Sequence, residues 1–371
     1  MLAQDDIGRK ALLSYLATFL VCVAVVLGIS WLYTSTQRSR FMETGYAVWD
    51  AKRTMVSNCD VGQVAVFGDS RADSALIPDR LKKVATNLAV AGGTPIENFF
   101  FVKSVLACES KPAIVMLSFN PGAFEIIQPW LWDNSVGYGA LGWQEVSEIR
   151  HEAERLKDAS YLAVTPKLGI DGIFRDAAYS HGFPGIYFNS LLESRLMGKT
   201  AMNRQKFDEV VMARGYPSYR RVAQVAGAGA TKVQETARFT PLPIQQSYFE
   251  ATLALLDRAG ITTYFLITPY NTTNVNTHNQ PYNAAYMAYL HRLDAKYPRF
   301  QLLQSKPPVW EQAMFVDGAH LSQEGANVFS RLLDRCIEGA AENANLGGGC
   351  NFDHPDQSAK VVELLVAKAK K

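Results

Sequence analysis

Four short runs of apolar residues constrain the fold of this chain more than any other feature of its sequence. They are rich in Val, Ile and Phe, and they have the length and near-continuous hydrophobicity of strands buried on both faces of a parallel sheet. The runs cover residues 64–67, 87–90, 113–117 and 263–267. Segments with helical periodicity separate them, at residues 95–107, at 243–259 and from Ser322 onward. Strands that alternate with helices predict an α/β protein built as a three-layer α/β/α sandwich.

An uncharged apolar segment precedes this pattern. Residues 11–33 contain no charged side chain and are long enough to cross the hydrocarbon core of a bilayer as a helix. The segment does not end at the small-residue cleavage site of a secretory signal peptide. We therefore expect an uncleaved transmembrane signal anchor, the alternative being a helix buried in the core. Basic residues follow the segment as well as precede it, so their count does not settle its orientation. Residues 34–60 are predicted to form a polar stalk, helical or extended, before a catalytic domain at 61–340.

Composition excludes some classes of function. The formal net charge of +2 on 371 residues gives no electrostatic reason to expect a nucleic-acid partner. The six histidines are scattered, without metal-ligand spacing, so we expect neither a metal nor another cofactor. Cys336 and Cys350 can close a loop in an oxidising compartment, or they can remain buried free thiols.

Polar residues and glycines that follow the predicted strands define a candidate site. Ser70 follows the first strand, Gly92 the second, Asn120 the third and Tyr270 the fourth. In an open parallel sheet, ligands bind beyond the carboxyl ends of the strands. We therefore expect these four residues to lie at one rim of the sheet.

A loop near the end of the chain supplies the groups that a serine nucleophile needs. Asp317 and His320 precede the last predicted helix, and their loop can fold over the same rim. A serine hydroxyl is a weak nucleophile until a neighbouring base takes its proton. The sequence therefore predicts Ser70 as nucleophile, His320 as base and Asp317 as the carboxylate that orients the imidazole.

The tetrahedral intermediate of such a reaction also needs hydrogen-bond donors for its oxyanion. The candidates are the backbone N–H groups of Ser70 and Gly92 and the side-chain amide of Asn120. Arg71 and Tyr270 are candidate substrate-binding residues. For Arg71 the alternative is a structural ion pair, and for Tyr270 it is a role in holding the loop.

The segment 122–240 interrupts the alternation of strands and helices. It is long and mixed in charge, with helices predicted at about 145–157 and 191–214 and aromatic residues concentrated in its first third. We expect a mainly helical insert that forms a lid or subdomain beside the site. Its aromatic residues either stack on sugar rings, or fill the insert's own core or contact the membrane surface. Residues 341–371 are predicted as a separate tail with an amphipathic end.

The ordered motifs resemble those of the SGNH (GDSL) hydrolase superfamily. Gly68-Asp69-Ser70 resembles its first block, the segment ending at Gly92 its second, and Asp317-Gly318-Ala319-His320 its last. The third block departs from the pattern, because Ser118-Phe119-Asn120-Pro121 stands where the hydrolases usually show Gly-x-Asn-Asp. The resemblance covers roughly residues 60–120 and 260–337 and does not account for the insert.

An arginine after the serine and a membrane span ahead of the domain make the chain similar to a membrane-anchored subgroup of that superfamily. This subgroup includes the alginate O-acetylation proteins and the D-alanine transfer protein of teichoic acid modification. The resemblance implies a site on the extracytoplasmic side of a bacterial inner membrane, with residues 1–10 in the cytoplasm. It also implies a membrane-bound O-acyltransferase as partner and a polysaccharide or glycolipid as acceptor.

Three functions remain open from the sequence. In the first, Ser70 accepts an acyl group, expected to be acetyl, and passes it to a sugar hydroxyl. In the second, water attacks the same acyl-serine, which makes the protein a membrane-tethered carbohydrate esterase. In the third, the domain has lost catalysis and binds polymer as a scaffold. The sequence motifs do not separate transfer from hydrolysis, because the two differ only in the attacking hydroxyl.

Overall fold

Five parallel strands form the centre of the molecule in a computed structural model. The structure describes residues 2–127, 130–163, 172–182, 199–218, 238–272, 280–342, 350 and 352. The strands are β1 (Val64–Gly68), β2 (Ala85–Asn87), β3 (Ile114–Ser118), β4 (Thr262–Phe265) and β6 (Phe300–Leu302). They lie in the order β2-β1-β3-β4-β6. The predicted α/β class with a parallel sheet is therefore confirmed.

Two details of the sheet differ from the prediction. The second strand is Ala85–Asn87 and not 87–90, although the chain stays beside β1: Leu88 N–H donates to Val66 O at 2.7 Å and Val90 N–H to Gly68 O at 3.1 Å. The edge strand β6 is absent from the prediction because its three residues are too few to show a strand pattern. Two further short strands, β5 (Tyr270–Asn271) and β7 (Val309–Trp310), pair beyond the sheet.

Alternate strand residues point to opposite faces of the sheet, and each face is buried in its own hydrophobic cluster. Phe67, Leu117 and Phe265 belong to one hydrophobic cluster, and Val66 and Met116 belong to another. Helices α3 (Thr44–Ser57), α5 (Pro95–Leu106), α11 (Pro243–Arg258) and α12 (Gln280–Lys296) contribute to the first cluster. Helix α13 (Gln323–Glu342) contributes to the second.

The start of α13 agrees with the predicted helix start. Ser322 precedes the helix, and its Oγ accepts the N–H of Gly325 at 3.1 Å, which caps one of the free N–H groups of the first turn. Phe329 and Leu333, four positions apart and so on one face of the helix, are fully buried in the second cluster. This helix follows directly on the loop of the candidate site.

The N-terminal helix α1 (Leu2–Thr36) contains the apolar segment that the sequence singles out. Residues 9–36 are long and apolar enough to cross a membrane, and none of the apolar window is buried against the rest of the protein. A helix packed in the core, the alternative reading of this segment, is therefore wrong. Trp31, near the end of α1, donates its indole N–H to the backbone oxygen of His181 at 2.7 Å.

The predicted stalk is part of the folded domain. After α2 (Arg38–Phe41), helix α3 buries Trp49, Lys52 and Val56, which recur at helical spacing on one face. Trp49 and Val56 belong to the first hydrophobic cluster of the sheet. The polar composition of residues 34–60 concealed this apolar face. Residues predicted as a stalk are therefore part of the core, directly after α1 and α2.

The insert is mainly helical where the structure describes it. Its helices are α6 (Gly122–Glu125), α7 (Trp143–Leu156), α8 (Ala159–Ala163), α9 (Gly172–Ser180) and α10 (Thr200–Met212), with a further helical turn at Leu131–Val136. The predicted helix at 191–214 begins outside the described residues, and its described part is α10. A third hydrophobic cluster joins α7 to α5 and α11, so the insert packs on the α/β domain.

Two disulfides link the domain. One joins Cys336 to Cys350, which decides between the two possibilities that the sequence left open for this pair. The other joins Cys59 to Cys108, a pairing that the sequence analysis did not propose. Apart from residues 350 and 352, the tail predicted beyond 342 lies outside the described residues.

Candidate active site

The end of β1 presents Ser70 at the rim of the sheet. Gly68 approaches the backbone oxygen of Ser118 so closely that a Cβ atom would overlap it, so only glycine fits there. Asp69 then caps helix α4 (Ser70–Ala75) by accepting the N–H of Arg71 at 2.9 Å. Ser70 is consequently the first residue of a helix that starts where a buried strand ends.

The loop before α13 brings His320 to Ser70. His320 Nε2 lies 2.8 Å from Ser70 Oγ, although the two residues are 250 positions apart. On the other side of the ring, Nδ1 lies 2.7 Å from Asp317 Oδ2. The loop is held by a hydrogen bond from Val316 N–H to His320 O at 2.9 Å and by an isolated bridge between Phe315 and Leu321.

Asp317 is held as a carboxylate. Burial acts to raise its pKa, but the hydrogen bond and charge of His320, together with the N–H groups of Ala319 and His320, outweigh burial and lower that pKa to about 2. Those N–H groups lie 2.7 and 2.8 Å from Asp317 Oδ1. An anionic Asp317 accepts the Nδ1–H of the ring, which leaves Nε2 as the acceptor for the Ser70 hydroxyl.

The three candidate oxyanion donors lie in different situations. Within the described hydrogen bonds, neither the N–H of Ser70 nor that of Gly92 is used by another protein group. Gly92 has a φ of +72°, a left-handed conformation that favours glycine. Asn120 instead donates to Asp69 Oδ2, from its backbone N–H at 2.7 Å and from its side-chain amide. One of the two amide hydrogens of Asn120 is thereby occupied, and its oxyanion role stays a prediction.

A buried ion pair behind the nucleophile is the main feature that the sequence analysis missed. Lys52 of α3 contacts Asp73 of α4 and the backbone oxygen of Ala89, and both side chains are almost fully buried. Burial lowers the pKa of Lys52, and Asp73 opposes that shift. The spacing of Lys52 between Trp49 and Val56 was the available signal, because it puts a lysine on the apolar face of α3.

Arg71 and Tyr270 are in contact. The guanidinium carbon lies 5.1 Å from the centroid of the Tyr270 ring, within the range of a cation–π interaction. Burial raises the pKa of Tyr270 to about 12, against the smaller, opposing effect of the Arg71 charge. Arg71 forms no ion pair with any described residue, so the structural alternative for Arg71 finds no support in that part of the chain.

The aromatic residues of the insert divide into two groups. Trp132 is buried in the third cluster, and Tyr138 packs edge-on against Tyr46. Trp130 remains 51% exposed, and its ring is so close to Gly92 that a Cβ at that glycine would lie 2.8 Å from it. One exposed aromatic side chain of the insert therefore borders the candidate site.

Comparisons with known proteins add no family assignment. Neither a scan against protein-family models nor a search of curated proteins found a match to this chain. Among the residues that the structure describes, no group of three or more His, Cys, Asp or Glu side chains is arranged to hold a metal ion. The argument for function therefore depends on the geometry of Ser70, His320 and Asp317.

Proposed function

We propose that this protein is a membrane-anchored serine O-acyltransferase that uses Ser70 to carry an acyl group, acetyl being the simplest, to a glycan acceptor. The observation that carries this proposal is the hydrogen-bonded series from Ser70 Oγ through the imidazole of His320 to the carboxylate of Asp317, with contacts of 2.8 and 2.7 Å. These three groups supply the nucleophile, the base and the orienting anion of acyl-serine chemistry.

In the first step, Ser70 Oγ forms a bond to the acyl carbon while His320 Nε2 takes its proton. The tetrahedral intermediate then breaks its bond to the leaving group, which receives that proton from His320. In the second step, an acceptor hydroxyl gives its proton to His320 and attacks the acyl carbon. The bond between the acyl carbon and Ser70 Oγ then breaks, and the proton returns from His320 to Ser70. The N–H groups of Ser70 and Gly92, which no other described group uses, stabilise the oxyanion in both steps.

Several observations support an extracytoplasmic site tethered to a membrane. Helix α1 is long and apolar enough to span a bilayer. The disulfides Cys59–Cys108 and Cys336–Cys350 favour an oxidising compartment, such as the bacterial periplasm. With helices packed on both faces of the sheet, the resemblance to SGNH hydrolases supports the three-layer sandwich of that superfamily. The same resemblance suggests a membrane-bound O-acyltransferase that delivers the acyl group.

Hydrolysis is the second candidate. The side chain of His320 is 25% exposed, so water can reach the base. The acyl-enzyme is common to both reactions, and the attacking hydroxyl decides between them.

The two functions are separated by the fate of the acyl group. The full chain in detergent is mixed with 4-nitrophenyl acetate, with and without an oligosaccharide mixture, and both 4-nitrophenol and acetylated sugar are measured. Transfer predicts slow turnover in water and faster turnover with acetylated sugar as product, whereas rapid release of acetate in water alone indicates an esterase. Loss of acylation in Ser70→Ala is expected for both.

A matched control lies on the same helix. Ser74 is buried in α4, and its hydroxyl is used by the helix backbone, since it donates to Arg71 O at 3.0 Å. Ser74→Ala should retain acylation, while Ser70→Ala and His320→Ala should lose it. If all three variants acylate at the wild-type rate, both enzymatic functions are wrong.

A further inference from the structure

Arg71 has hydrogen-bonding capacity that the protein does not use. Its guanidinium carries five N–H donors and a permanent positive charge. Among the described residues it forms no ion pair, and its side chain donates no hydrogen bond. The side chain is half-buried, and Arg71 is the residue that directly follows Ser70 in α4.

Two carboxylates that act on the same tyrosines as Arg71, those of Asp69 and Glu125, have other partners. Asp69 accepts the backbone N–H of Arg71 and both the N–H and the side-chain amide of Asn120. Glu125 accepts the Tyr282 hydroxyl and the N–H of Thr240 at 2.9 Å. Neither carboxylate makes an ion pair with the guanidinium, and the positive charge at Arg71 is left uncompensated by the described residues.

Tyr270 holds the guanidinium in place and adds a second unused group. Its side chain is buried, with the ring 5.1 Å from the Arg71 guanidinium carbon. Its hydroxyl has no hydrogen-bond partner among the described residues. An unpaired buried hydroxyl is costly, and a ligand that accepts a hydrogen bond would remove that cost. The ring therefore positions the cation, and its buried hydroxyl is a donor that no described group accepts from.

The position of Tyr270 indicates which part of the substrate reaches this pair. Asn271, the next residue, directs its side-chain amide to Asp317 O at 3.4 Å, so Tyr270 lies on the side of the Asp317–His320 loop. The leaving group and the acceptor must approach from that side, because both exchange a proton with His320. Gly92 lies on the opposite side of β1, next to β2.

We propose that Arg71 and Tyr270 form an anion subsite, which binds a carboxylate or phosphate group that the leaving group and the acceptor carry close to the reacting oxygen. This inference rests on the proposed acyl-serine chemistry and specifies its substrate class. Arginine binds both anions through paired N–H donors to their oxygens, so the subsite accepts either a planar carboxylate or a tetrahedral phosphate.

Three acetyl esters of matched phenols test the subsite in the full chain. They are 4-acetoxybenzoate, 4-acetoxyphenyl phosphate and the neutral methyl 4-acetoxybenzoate. For each ester, kcat/KM is divided by its rate constant for hydrolysis by hydroxide, which removes the difference in intrinsic reactivity. We expect at least one anionic ester to be preferred over the neutral ester by about tenfold or more, since a charge-assisted hydrogen bond is worth at least that factor. The ester that shows the preference identifies the anion as carboxylate or phosphate.

Variants assign the preference to Arg71. Arg71→Gln should bring the ratio of anionic to neutral ester to about one, and Arg71→Lys should retain part of the preference because it keeps the charge. The matched control is Arg292→Gln, since Arg292 also lies over a tyrosine ring, at 5.7 Å from the Tyr289 centroid, but is exposed on α12. That variant should keep the wild-type ratio.

The remaining outcomes overturn the subsite. A wild-type ratio near one, or a preference that persists in Arg71→Gln, contradicts it. 4-Nitrophenyl hydrogen succinate carries its anion on the acyl group and not on the leaving group. If only this ester shows a preference that depends on Arg71, the assignment to the leaving-group side is wrong. If the neutral ester acylates Ser70 without any charge preference, the subsite fails while the proposed function stands. If no ester acylates Ser70, both fail.

Discussion

Replacing Lys52 with methionine tests whether the domain core depends on the buried pair behind the nucleophile. The Lys52 side chain is fully buried and that of Asp73 is 2% exposed, so the pair is shielded from water. Methionine fills a similar volume but removes the ammonium group. Asp73 is then a buried carboxylate without its cation, and Ala89 O loses a donor.

The size of the effect follows from what remains buried. Breaking a buried ion pair by removing one partner costs about 3–5 kcal/mol, because the other charge stays in a medium of low dielectric. The double variant Lys52→Met with Asp73→Leu leaves no buried charge and should recover at least about 2 kcal/mol of that loss. An exposed pair gives the contrast: Lys82 and Glu338 are 70% and 41% exposed, so Lys82→Met should cost less than about 1 kcal/mol.

Urea unfolding of the full chain in detergent, followed by tryptophan fluorescence, measures these free energies. The burst of 4-nitrophenol from 4-nitrophenyl acetate measures Ser70 acylation in the same samples. The reasoning requires the cost of Lys52→Met to exceed that of Lys82→Met by at least about 2 kcal/mol. Equal costs for the two lysines, or a double variant as unstable as the sum of its singles, would refute it.

Three further predictions follow from the backbone, the covalent links and the titration of the site. Gly92 and Gly260 have φ of +72° and +73°, so replacing either with alanine should lower the free energy of unfolding by about 1–2 kcal/mol. Only Gly92→Ala should also slow the acylation burst, because its Cβ would lie 2.8 Å from the Trp130 ring at the site, whereas nothing lies within 4 Å of a Cβ at Gly260. Replacing both Cys59 and Cys108 with serine removes a link between residues 49 positions apart and should lower the free energy of unfolding in urea by about 4 kcal/mol. Asp317 has a pKa lowered from 3.8 to about 2, so its ionised form stabilises the fold above pH 3.8 and that contribution is lost as the pH falls towards 2. Its side chain is 42% exposed, which limits this contribution to about 1 kcal/mol, and Asp317→Asn should abolish this part of the pH dependence of unfolding.

The sequence predicted those parts of the fold and site that local patterns encode. The apolar runs of β1, β3 and β4 are long enough to show burial on both faces, whereas β6 has three residues and depends on its neighbour β4. Ligands bind beyond the carboxyl ends of parallel strands, and this placed Ser70 and the loop of His320 at one predicted site although the two residues are 250 positions apart.

What the sequence left out depends on contacts between distant segments. Helix α3 was predicted as a stalk because its polar residues masked the face that carries Trp49 and Lys52. The partner of that lysine, Asp73, is 21 residues away, and no spacing rule connects the two. The disulfide between Cys59 and Cys108 also joins distant segments. The four cysteines that follow α1 allow three sets of pairings, and only the fold selects one of them.

The most direct test of the account is to find where the acyl group is held. The full chain is mixed with 4-nitrophenyl acetate, quenched in acid within the burst, digested and analysed by peptide mass spectrometry. We predict one acetyl group on Ser70 in the wild type and in Ser74→Ala, and none at this position in His320→Ala, where the hydroxyl has lost its base. Acetylation of another residue in place of Ser70, or turnover that persists in Ser70→Ala, would contradict the account.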